Sequence, residues 1–121
     1  SPKKYLREFA LDNGSELEPG AVLGSVLFAG VQIDEGAVVE DSVIADGCRI
    51  EGRVERSIIF RGVHIAKGAV VTNSIVMQNS VIQRDVALDY AVLDKGVTVG
   101  QGKRIGGQES FPVIIGKNVM V

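Results

Sequence analysis

Strong aliphatic residues recur along this chain every five or six positions, in three interleaved sets. Leu17, Ile33, Ile50, Ile65, Ile82 and Val99 form the first set; Val22, Val39, Val54, Val71 and Leu88 the second; Leu27, Ile44, Ile59, Val76 and Leu93 the third. The step from second to third set is always five, and from third to the next first set always six. Irregularity is confined to the step from first to second set, which runs 5, 6, 4, 6 and 6. A helix would place its apolar residues three and four apart, and a long flat strand would alternate strictly, so neither period fits. The same order shows as a repeated motif: VLGSVL, VEDSVI, VERSII, VTNSIV and LDYAVL start at 22, 39, 54, 71 and 88, with spacings of 17, 15, 17 and 17. Each copy has an aliphatic, two variable positions, a small Ser or Ala, and two more aliphatics. Repetition at this length signals stacked structural units.

Three aliphatic columns per repeat predict a triangular prism wound from very short strands, with each coil stacked on the one below. The fold class is therefore all-β, a single-stranded parallel β-helix of about five coils. A smaller inward residue is expected four positions after each aliphatic, namely Ala37, Ala69 and Val86 on one side and Val31, Cys48, Val63, Ser80 and Val97 on another. Gly and acidic residues fill the corners, as in IDEGA, IADGC, IAKGA and LDKGV, because Gly takes up positive φ at little cost. A coil cannot bury its apolar side alone, so stability must come from neighbour contacts. The regular winding is expected over residues 17–109. Residues 1–16 form a linker or cap and residues 110–121 a capping segment, because end coils need cover for their strand edges.

Composition narrows the role. Val and Ile dominate the 45% hydrophobic content, aromatics reach only 5%, and Gly is abundant. The net charge of −2, with both signs interspersed, points to neither a nucleic-acid surface nor a disordered acidic tail. One cysteine excludes an internal disulfide framework and fits the cytoplasm. No apolar run approaches the ~18 residues of a membrane span. The opening SPKK, without initiator Met, is expected to mark a fragment of a longer protein, with Ser1 a cloning remnant.

Six-residue aliphatic repeats of this kind resemble the hexapeptide family, which implies a left-handed winding that the pattern by itself does not give. Over 39–121 the stretches IADGCRIEG, SIIFRGV, SIVMQ and FPVIIGK resemble the C-terminal β-helix domain of bacterial glucose-1-phosphate adenylyltransferase (ADP-glucose pyrophosphorylase), most of all its glycogen biosynthesis partner subunit. The resemblance implies a regulatory and oligomerisation domain in an enzyme that converts ATP and glucose 1-phosphate to ADP-glucose and pyrophosphate. It also implies packing against the protein's own catalytic domain and other subunits, in a tetramer. The Gly-rich nucleotide loop of the catalytic domain is absent from this sequence, so the fragment is expected to be inert and to need no cofactor. Such enzymes are regulated by phosphorylated sugars or phosphate held by Arg and Lys. Lys117 matches a family position that contacts effector, with Lys103 and Arg104 as further candidates, whereas Asp89 stands where the family has a second Lys.

Other chemistry is weaker. His64 is the only histidine, and hexapeptide acyltransferases use a His as general base, so an acyltransferase is the alternative function; the β-helix of another sugar-nucleotide transferase is a third. A lone His cannot build a three-His zinc site. GVTVGQGKRIGG has neither phosphate-loop spacing and reads as solenoid turns. Cys48 reads as a packed small hydrophobe. Finally, the residues after the third-set aliphatics, Phe28, Ala45, Phe60 and Met77, would stack as an exposed apolar stripe, which marks an interface.

Overall fold

The computed structural model describes residues 16–17 and 21–121. Its strands form three six-stranded sheets, each wholly parallel. The first face stacks Glu16–Leu17, Gln32–Ile33, Arg49–Ile50, His64–Ile65, Val81–Ile82 and Thr98–Val99. Ala21–Leu23, Val38–Glu40, Arg53–Glu55, Val70–Thr72, Ala87–Asp89 and Arg104–Gly106 make the second face. Val26–Leu27, Val43–Ile44, Ile58–Ile59, Ile75–Val76, Ala91–Leu93 and Val113–Ile115 make the third. Successive strands visit the faces in rotation, so the chain winds a three-sided β-solenoid of five full turns and most of a sixth. Among the described residues there is no helix, hence none long and apolar enough to cross a membrane.

The register stacks like on like. Val39 pairs with Val22 and Val54, Val71 with Val54 and Leu88, and Ile44 with Leu27 and Ile59. The three aliphatic columns, from Val22 onward, are buried along one axis. The smaller residues expected inward, including Ala37, Cys48, Val63, Ser80 and Val86, are buried among them. Two columns run further than the sequence pattern suggests, since Ile105 and Ile115 continue the second and third and are partly buried. Residues 113–115, in the segment expected as a cap, are thus paired with Ala91–Leu93, and Met120 bridges back to Thr98. The expected cap at 1–16 lies, apart from Glu16, outside the described residues.

The Ser of the repeated motif has a physical cause. Ser42 Oγ donates to Glu40 O at 2.8 Å and accepts the N–H of Ser57, one coil up, at 3.1 Å. Ser25, Ser57 and Ser74 do the same, linking Ser42, Ser74 and Ala91 into one buried ladder. Each hydroxyl therefore replaces a backbone acceptor that the sharp corner between the second and third faces cannot supply. That corner turns on one left-handed residue, filled by Asp41, Arg56, Asn73 or Tyr90 at φ of 48–50°.

The single short step in the repeat also has a structural counterpart. Between Ile50 and Val54 the corner from first to second face shrinks to Glu51 and Gly52, while the coils on either side make full turns through Asp34–Ala37 and Ala66–Ala69. The missing residues leave a dent of about 580 Å³ lined by Asp34, Glu35, Gly36, Glu51 and Lys67.

Candidate functional site

In a two-residue strand one side chain points in and its neighbour points out. On the third face the inward residues are the buried aliphatics, and the outward ones are Val26, Val43, Ile58, Ile75, Val92 and Ile114, in continuous register. The whole outer column is aliphatic. Val26, Ile58 and Ile114 are 48%, 45% and 73% exposed. By contrast the first face turns Gln32, Arg49, His64 and Thr98 outward, and the second presents Glu40, Arg53, Glu55 and Arg104. One side of the prism is apolar and the other two are polar or mixed.

The expected stripe flanks this apolar side. Phe28, Ala45, Phe60 and Met77 follow the third-face strands, and their N–H groups bond to Ile44, Ile59, Val76 and Leu93 one coil on, so they stack in order. Phe28 and Phe60 are exposed; Ala45 and Met77 are half-buried. Ala45 and Phe60 line a dent of about 450 Å³ with Asp46, Arg61 and Gln78. Sequence reasoning found the stripe and missed the larger column beside it. The signal was present in the motif itself, whose last two positions are both aliphatic although only one can face inward.

The basic candidates divide between corners. Lys103 ends the corner from first to second face and Arg104 opens the second-face strand beside it, whereas Lys117 lies at the corner from third to first, where Asn118 N–H bonds to Lys95 O and so stacks Lys117 over Lys95. Lys117 therefore does not converge with the other two. Asp89 is engaged within the wall: Thr72 Oγ1 and Asn73 Nδ2 donate to its Oδ1 at 2.8 and 2.9 Å. These bonds, with the nearby Arg56 charge, hold its carboxyl below the usual range.

His64 sits on the outer side of the first face, and its Nε2 hydrogen-bonds Glu51 Oε1 from the shortened corner. Arg49 below it reaches Asp34 Oδ2 at 3.0 Å and Glu51 Oε1 at 3.5 Å, which keeps its guanidinium still more firmly protonated. A carboxylate bound to one imidazole nitrogen fixes the ring's tautomer and leaves the other nitrogen for proton transfer. The neighbouring dent of about 400 Å³ is lined by His64, Ala66, Val81, Gln83, Arg84 and Gln101. Cys48 carries no such reactivity. Its Sγ is buried and donates to Phe60 O, and burial pushes the thiol pKa up to about 11. Among the described residues no three of His, Cys, Asp and Glu gather as a metal site.

Three parallel faces wound from short strands, with one aliphatic column inside each, define a hexapeptide-repeat β-solenoid, a scaffold found in acyltransferases and in sugar-nucleotide transferases. A family model described as GlmU-like, C-terminal hexapeptide matches residues 39–111, and the chain belongs to that family, whose winding is left-handed. No curated protein matches the sequence. Among solved structures the chain is similar to the acetyltransferase domain of PglB from Neisseria gonorrhoeae, determined in complex with acetyl coenzyme A. The two share 19% identity at a TM-score of 0.48, over 76% of this chain and 48% of the other, so this chain spans about half that length.

Proposed function

We propose that this chain is a non-catalytic assembly and regulatory domain of a glucose-1-phosphate adenylyltransferase subunit, acting in the cytoplasm in glycogen synthesis. The single observation behind the assembly role is the outer side of the third face, where six aliphatics stack, with Val26, Val43, Ile58 and Ile114 exposed and Phe60 exposed beside them. Contiguous exposed apolar surface of this kind supports an interaction role. It fits the packing partners expected for such a domain, a catalytic domain and neighbouring subunits of a tetramer. The choice of parent enzyme rests on the sequence stretches quoted above and not on the fold.

For regulation, the stacking of Lys117 on Lys95 is the supporting feature. Two like charges one strand apart repel, and a phosphate or phosphorylated sugar bound between them would remove the repulsion through charge-assisted hydrogen bonds. Lys103 and Arg104 would make a separate basic patch on another corner.

A specific observation favours a second reading. The His64–Glu51 pair has the layout of an imidazole base oriented by a carboxylate, as the acyltransferase alternative requires. The two readings part in one assay, release of free coenzyme A from acetyl-CoA by the purified chain with amino-sugar acceptors. The assembly reading expects no turnover, and expects Phe60→Asp to abolish association with the parent's catalytic domain. Turnover that disappears in His64→Ala, with association untouched by Phe60→Asp, would replace it by the acyltransferase.

A further inference from the structure

The shortened corner between Ile50 and Val54 interrupts a ladder of backbone bonds as well as the outline of the prism. At the later corners of the same kind, Asp85 N–H donates to Lys67 O at 3.3 Å and Gly102 N–H donates to Arg84 O at 2.9 Å. Gly68 and Glu35 hold the matching positions on either side of the short coil, which has no residue to set between them. Gly68 N–H and Glu35 O therefore face each other across a gap, and among the described residues neither makes a hydrogen bond. Coils lie ~4.8 Å apart, so skipping one stretches the N to O separation to about 8 Å. Two hydrogen bonds of about 2.9 Å and the ~2.3 Å from O to N across a trans amide fill that length.

We infer that this gap binds a short peptide, whose amide takes the place of the missing peptide unit. The ligand's C=O accepts from Gly68 N–H, and its N–H donates to Glu35 O. The charges around the gap lie in the order that a dipeptide running parallel to the coils requires. At the first-face end Asp34 and Glu51 share one guanidinium, that of Arg49, at 3.0 and 3.5 Å. Glu35 beside them makes no ion pair among the described residues. Carboxylate charge is thus in excess where the ligand's ammonium would lie. Lys67, also without an ion pair among the described residues, lines the gap with Arg53, which opens the second-face strand. These two cations meet the ligand's carboxylate. Water can satisfy the same N–H and C=O, so selectivity comes from one rigid group reaching both and from charge-assisted bonds at each end. The gap lies away from the third face, and the inference does not depend on that face's assembly role.

Titration of the whole chain with glycylglycine, followed by amide NMR, tests this. The Gly68 resonance should shift and saturate, while that of Gly102, already bonded to Arg84, stays in place. Glycylsarcosine keeps both charged ends but has no amide N–H to donate, and should bind roughly tenfold more weakly. N-methylacetamide, the amide without charged ends, should be weaker by roughly tenfold or more. Inserting Lys-Gly between Glu51 and Gly52 restores the 17-residue spacing of the neighbouring repeats and should abolish binding, with circular dichroism checking that the solenoid persists. A Gly68 resonance that shows no saturable shift would overturn the inference. Glycylsarcosine binding as tightly as glycylglycine would overturn the amide bridge, and N-methylacetamide doing so would overturn the choice of a peptide. A folded insertion variant that still binds would overturn the location.

Discussion

The serine ladder stabilises the solenoid through hydrogen bonds that cross from one coil to the next at the tightest corner. Ser57 Oγ donates to Glu55 O and accepts from Ser74 N–H, and both serines are buried. Ser57→Ala would leave that N–H without an acceptor and without water, at a cost of about 1–3 kcal/mol. Ala91 ends the ladder: it donates to Ser74 Oγ, and the N–H of Val113 above it already has the backbone carbonyl of Tyr90 as acceptor. Ala91→Ser should consequently gain nothing in denaturant unfolding, while Ser57→Ala shifts the midpoint clearly downward. Cys48 gives a prediction of a different sort. Its thiol ionises near pH 9 in the unfolded chain and about 11 in the folded one because burial disfavours the thiolate. Stability that is fully present below pH 9 is then lost as pH rises towards 11, by roughly 2–3 kcal/mol. Cys48→Val, which repeats the residue found at Val31 and Val63 in the same column, should unfold without that part of the pH slope.

At the scale of the corner, two glycines illustrate different constraints. Gly36 has φ +83 and open space around its Cα, so Gly36→Ala meets only backbone strain, about 1–2 kcal/mol. Gly52 lacks a positive φ, yet a Cβ there would fall 2.3 Å from Ala69 O and 2.9 Å from Ala66 O. Those are backbone atoms of the next coil, fixed by the bond from Arg53 N–H to Ala69 O, and they cannot yield as a flexible side chain would. Gly52→Ala should cost more than Gly36→Ala, measured as unfolding free energy, and equal costs would contradict this account of the shortened corner. The shortened corner itself was legible in the sequence as the lone step of four, because the aliphatic columns on both sides of it keep count. The columns were readable for the same reason: interior positions admit only Val, Ile and Leu at fixed steps. The outer aliphatics Val43, Ile58 and Ile75 were carried by the motif's paired last positions but easily overlooked, since each adjoins an inward aliphatic and the pair reads as one apolar block. The Glu51 partner of His64 was hidden as well, being 13 residues away and brought into reach only by the tight corner. Lys117 could not be separated from Lys103 and Arg104 without following the excursion at 107–112, which hides the continuation of the columns into Ile105 and Ile115.

For the molecule as a whole, contacts run almost entirely between adjacent coils, so stability is nearest-neighbour in character and depends on how many neighbours a residue has. Ile59 lies between Ile44 and Val76 and is fully buried. Ile59→Ala removes three carbons from the middle of a packed column, and the rigid ladders on each side prevent the cavity from closing, so a loss of about 3–4 kcal/mol is expected. Ile105 stacks on Leu88 on one side, in the final coil, and is partly buried. The same truncation there leaves a surface notch that water fills, and should cost about 1 kcal/mol. Denaturant unfolding of the two variants separates this view from one in which the whole solenoid shares strain evenly. If Ile105→Ala proved as damaging as Ile59→Ala, Ile105 would have to be held by contacts beyond Leu88.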